Sequence, residues 1–107
     1  MNTLRDPNRR PTHPGAVLRE DVLPALAMTQ TELAQRLGVS RLSVSELLHE
    51  RRGLSAEMAA RLAKLLQVSA ESWLQMQAAM DLWQVRRQST AVAMIKPLTK
   101  RRLAQVA

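Results

Sequence analysis

Residues 30–49, Gln-Thr-Glu-Leu-Ala-Gln-Arg-Leu-Gly-Val-Ser-Arg-Leu-Ser-Val-Ser-Glu-Leu-Leu-His, place a small residue and a glycine where two short helices crossing steeply need them. Counting from Gln30, Ala34 is fifth, where the helices approach and a larger side chain would clash. Gly38 is ninth, where a sharp turn takes a positive φ without a Cβ penalty. Leu33, Leu37, Val39, Val44 and Leu47 fall on the inward faces. This is the spacing of a helix-turn-helix, the competing reading being an ordinary helical hairpin. In proteins that carry the motif its second helix, here about Ser40 to His49, lies along the DNA major groove.

The remaining elements follow from caps and breakers. Residues 1–12 hold Pro7 and Pro11 among Asn, Thr and Arg without apolar periodicity, and read as an extended arm. A helix is expected from Pro14, with His13 just outside it and Ala16, Val17, Leu18, Val22 and Leu23 on its apolar side, until Pro24 ends or kinks it. Thr29 and Glu32 make a capping-box pattern that predicts reciprocal bonds at the next helix start. Ser40, Ser55 and Ser69 stand as N-caps before further helices, at about 56–67 and 70–87. Met58, Leu62, Leu65 and Leu66 supply the inward face of the first of these. The class is all-α: a five-helix domain over residues 13–87, with the arm before it and a tail, 88–107, after it.

A chain of 107 residues fits one domain with a modest core. It has no cysteine, which removes disulfides, thiolate metal sites and cysteine nucleophiles. Without a spanning apolar run or an apolar leader, a soluble, cytoplasmic chain with no membrane partner is expected. The net charge of +7 sits at the ends: residues 1–12 carry +2, residues 84–107 carry +6, and residues 13–83 come to −1. Either end could grip phosphates or simply be solvated. His13 and His49 lack the neighbours of a metal site or triad, and Glu20-Asp21 reads as a solvated helix surface. The three glycines form no phosphate loop, and the six methionines read as core filler. No enzyme and no cofactor are expected.

The helix at 70–87 carries two apolar stripes. Trp73, Met76, Met80 and Trp83 follow one track, and Leu74, Ala78, Leu82 and Val85 another on a neighbouring face. One can dock on the core, which leaves the other for a second subunit, so a homodimer is expected. Alternatively both stripes are buried within one chain under the tail. Each indole N–H should find a partner at the edge of that interface.

From His13-Pro14-Gly15 through the helix-turn-helix, the run Arg51 to Lys64 and Trp73-Leu74-Gln75-Met76-Gln77, the chain resembles the HigA-type antitoxins, members of the lambda-repressor-like helix-turn-helix family. The resemblance spans about residues 13–87. It implies a toxin–antitoxin module: an antitoxin that neutralises a small HigB-type ribonuclease toxin and, as a dimer, represses the shared promoter at a palindromic operator in double-stranded DNA. The alternative is a stand-alone repressor without a toxin. Many members have Asn-Gly where this chain has His49-Glu50. Because glutamate resists the left-handed conformation, the groove helix is expected to run longer here, with Gly53 making the turn.

Matched to that motif, Ser40, Arg41, Leu42, Ser43, Ser45 and Glu46 are the residues expected to face the groove. Arg41 could bond guanine N7 and O6 or hold a phosphate, and Leu42 could meet a thymine methyl. Glu46 could accept from cytosine N4 or exclude wrong sequences, and the serines could bond bases or phosphates. Thr29 and Gln30 open a helix whose N-terminus suits a phosphate, and Arg51 and Arg52 would flank the groove on the other side.

Overall fold

The computed structural model describes residues 9–106, and those residues are helical without a strand. A first helical segment comprises α1 (Pro14–Val17), a π-helical turn (Leu18–Val22) and α2 (Leu23–Leu26). It is followed by α3 (Gln30–Leu37), α4 (Arg41–Leu48), α5 (Ala56–Leu66), α6 (Ala70–Gln88) and two short turns of helix, α7 (Thr90–Ala93) and α8 (Lys100–Leu103). The five expected helices are present. Pro24 neither ends nor sharply breaks the first segment: the wider π turn precedes it, and the helix stops only where Ala27 turns left-handed at φ 50°.

One apolar cluster joins all the long elements. Leu18, Leu33, Val44, Leu48, Ala59 and Leu62 are each at most 1% exposed, and Trp73 of α6 closes the cluster from the far side. Val17, Val39, Leu65 and Leu66 pack at its margin. Full burial of each large side chain contributes about 1.5–3 kcal/mol. That burial holds helices too short to persist alone.

The caps explain the boundaries. Thr29, Ser40, Ser55 and Ser69 each accept from the backbone N–H three residues on, at 3.0–3.1 Å. The capping box is only half made. Thr29 receives the Glu32 N–H, but the Glu32 carboxylate turns to Arg36 Nε at 2.7 Å on the next turn, because a cation there outcompetes an amide donor. Gly38 takes φ 71°, and Arg61 of α5 donates to the Leu37 carbonyl at 2.7 Å, closing the end of α3.

The opening His-Pro-Gly has a specific job. His13 Nδ1 accepts the Gly15 N–H at 2.9 Å as the cap of α1, and Pro14 takes the position that needs no donor. A Cβ on Gly15 would lie 1.8 Å from the Leu47 carbonyl oxygen, so only glycine lets α1 approach the backbone of α4 this closely. Burial pushes the His13 imidazole below its ordinary value of 6.5, against a smaller opposing pull from Glu50. A folded value below the unfolded one means the unfolded chain binds the extra proton first. Stability is therefore complete above pH 6.5 and falls as pH drops from there through the folded value. Thermal melting between pH 7.5 and 5 should show that slope, and His13→Asn, which keeps a cap acceptor but does not ionise, should flatten it.

Candidate nucleic-acid interface

The core-facing residues of α4 are Val44, Leu47 and Leu48. At 100° per residue this turns Leu42, Glu46 and His49 outward and Ser45 to the flank, while Arg41, in line with Leu48, is open because it stands in the first turn. Leu42 is 67% exposed, and Arg41 is exposed with no ion pair among the described residues. An apolar side chain on the open face of a short helix and an unneutralised guanidinium at its start suit a groove lined by bases and phosphates. Ser40, Thr29 and Gln30 sit at the starts of α4 and α3 and reach solvent.

The other expected residues are partly engaged with one another. The Ser40 and Ser43 hydroxyls lie 2.8 Å apart, and Ser40 Oγ also accepts the Ser43 N–H, so Ser40 is committed to capping. Ser45 Oγ stands 3.4 Å from His49 Nδ1. Glu46 pairs with Arg52 at 2.8 Å, which brings together two residues expected on opposite duties and leaves each with reduced charge to offer. Arg51 is exposed.

The end of α4 differs from expectation. The helix does not run on to a turn at Gly53: it stops at Leu48, and Glu50 itself adopts φ 61°. Arg51 N–H bonds the Glu46 carbonyl at 2.8 Å and Glu50 N–H the Leu47 carbonyl at 3.0 Å, the two bonds of a Schellman cap built on glutamate instead of glycine. The left-handed backbone costs about 1–2 kcal/mol. Ion pairs offset part of it: Glu50 meets Arg10 of the arm at 3.0 Å and Arg19 of the first helical segment at 3.3 Å. The Arg10 bond, helped by Arg19 and opposed by partial burial, holds the Glu50 carboxyl below its ordinary range. Arg19 also donates to the Leu48 carbonyl. The arm, the first helix and the groove helix thus meet at one carboxylate.

This cluster was not legible in the sequence, because Arg19 and Arg10 lie 31 and 40 residues from Glu50 along the chain. Gln77 was also missed as a positioning residue. Its Oε1 accepts the Leu54 N–H at 2.7 Å and pins the loop that follows the groove helix to α6. Of the expected arm, residues 1–8 lie outside the described residues; Pro11 is buried, and Arg10 is tied down as above.

The two stripes of α6 separate. Trp73 and Met80 are 5% and 2% exposed, so they have no area to give a second chain; Met76 packs against the core, and so does Leu74 of the other stripe. Ala78, Leu82 and Val85 face solvent. Trp83 is half-buried beneath the Arg87 guanidinium, 4.9 Å above its ring, and its buried Nε1 has no partner among the described residues.

Short capped helices around an apolar core, with an exposed Arg-Leu-Ser face on the second helix of the turn, define a helix-turn-helix DNA-binding protein. Residues 18–73 match the helix-turn-helix family, and the chain belongs to it. It is 44% identical over 82 residues to the uncharacterised HTH-type transcriptional regulator YbaQ of Escherichia coli, covering 77% of this chain and 73% of that protein. It is 36% identical to antitoxin HigA-1 of Vibrio cholerae, over 89% of this chain and 90% of the relative. The solved structure of Pseudomonas aeruginosa antitoxin HigA with the higBA promoter superposes with a TM-score of 0.78 at 34% identity, over 84% of this chain and all of that one. Within the family, then, this is a chain of the HigA antitoxin type. No helix of the described residues is long and apolar enough to cross a membrane.

Proposed function

We propose that the chain neutralises a small HigB-type ribonuclease toxin and, as a homodimer, represses the operon encoding both by binding a palindromic operator. The observation that carries this reading is the fold-wide similarity to an antitoxin solved on its own promoter, extending over the whole of that chain. Arg41 reads a base, with Leu42 beside it on a thymine methyl. The starts of α3 and α4, at Thr29, Gln30 and Ser40, hold phosphates through backbone N–H groups, the Thr29 and Ser40 hydroxyls serving as caps, and Arg51 and Arg52 flank the groove. Two such surfaces in a dimer would sit about 34 Å apart, or a multiple of that, on one face of the duplex.

The test is co-expression with the reading frame next to this one. Growth arrest by that frame alone, relieved by this chain and accompanied by co-purification, supports the antitoxin reading. Promoter binding without any rescue would instead leave a stand-alone repressor. Footprinting should show two-fold protection; protection of a single half-site argues against the dimer.

A further inference from the structure

Two arginines follow the groove helix, and their surroundings differ. Arg51 is exposed and makes no ion pair among the described residues. Arg52 bends back onto α4, with its Nη2 2.8 Å from Glu46 Oε1. Glu46 points away from the core-facing Val44 and Leu48, one turn beyond Leu42, so its carboxylate belongs to the face that meets the bases. The pair therefore draws the Arg52 guanidinium from the flank toward that face. The backbone around Arg52 is fixed on both sides. The Arg51 N–H bonds the Glu46 carbonyl at 2.8 Å, and the Leu54 N–H bonds Gln77 Oε1 at 2.7 Å. A Cβ on Gly53 would lie 3.0 Å from Gln77 Nε2, so the residue after Arg52 sits against that amide.

We propose that Arg52 reads a guanine of the operator, with Glu46 as the positioning residue that holds its guanidinium over the groove. The proposal rests on the operator-binding reading above and adds a specificity-determining residue to it. Charge separates this role from a phosphate contact. A phosphate is attracted by net positive charge, which the Glu46 carboxylate largely neutralises at Arg52 and which Arg51 still offers in full. Base reading depends instead on where the donors point. A guanidinium has five N–H donors in a rigid fork, and one carboxylate takes at most two of them, so another edge is left for guanine N7 and O6. The Arg52 side chain is 47% exposed within the pair, which leaves room for that contact. A side chain already held also gives up less rotamer freedom on binding. The carboxylate has a second effect: it repels the phosphates that would otherwise occupy Arg52 without regard to sequence.

The experiment measures operator binding by the full chain, with 7-deazaguanine replacing one guanine at a time to remove N7. Arg52→Ala should weaken the parent operator about tenfold and abolish sensitivity at one guanine in each half-site, leaving guanines read by other residues as they were. The salt slope should hardly change, because the lost cation was already paired. Glu46→Ala should bind unrelated DNA more tightly, since an anion facing the phosphates is gone, yet lose sensitivity at that same guanine. A residue that only supported the fold would not produce the gain and the loss together. The double variant should discriminate no worse than Arg52→Ala alone. Neither side chain is buried, so melting should hardly move. If Arg52→Ala weakens all sequences alike and flattens the salt slope by about one, the proposal is overturned and Arg52 holds a phosphate. Full sensitivity retained by Glu46→Ala overturns the positioning role. A parent chain with no preference for its own promoter overturns the operator-binding reading itself.

Discussion

Gly15→Ala should lower stability by about 3 kcal/mol or more, the upper end of what overpacking costs. In a domain of this size that is a fall in melting temperature of roughly 12–24 °C. An alanine in a helix ordinarily gains about 1 kcal/mol over glycine, which here has the opposite sign and is too small to matter. The new Cβ would meet the Leu47 carbonyl oxygen at 1.8 Å and its carbon at 2.9 Å, and both are backbone atoms that no rotamer can move. Relief requires α1 and α4 to separate, which disturbs the Arg19 bond to Leu48 and the seat of Glu50. Operator affinity should therefore fall along with stability. Differential scanning calorimetry and a titration of promoter DNA check the two effects; a variant that melts as the parent does would mean that the close approach is not maintained in solution.

Arg41→Ala should weaken binding to the operator by about 1–3 kcal/mol, roughly tenfold to a hundredfold, if its guanidinium bonds a guanine edge. Base substitution at one position in each half-site should then cease to matter, while affinity for unrelated DNA changes little. If Arg41 holds a phosphate instead, all sequences should weaken alike and the salt slope should flatten by about one. The fold should be indifferent, since the side chain is exposed and makes no ion pair among the described residues. Glu46 is a poorer candidate for a comparable effect: its carboxylate already holds Arg52 at 2.8 Å, and binding a base would first require breaking that pair.

The helix-turn-helix could be read directly because its requirements are local. Ala34 and Gly38 are fixed by the geometry of two adjoining helices, and each serine cap acts on a donor three residues away. Thr29 and Glu32 show where such reasoning stops. Half of the box forms, and the other half is lost to Arg36, a competitor that the pattern alone does not weigh. Glu50 shows it more strongly. By intrinsic preference glutamate avoids the left-handed region, so a longer helix was expected; ion pairs from Arg10 and Arg19 made the disfavoured backbone tolerable.

The amino-acid order by itself determined the helical class, the turn and the caps, because helix periodicity and capping act within a few positions of the chain. Tertiary structure alone decided how the groove helix is held in place. The glycine beneath Leu47, the Arg10–Glu50–Arg19 cluster and the Gln77 bond to Leu54 join residues tens of positions apart. Packing likewise decided which residues of the two apolar stripes of α6 are buried: Trp73 and Met80 of one and Leu74 of the other pack inward, and Leu82 and Val85 stay exposed.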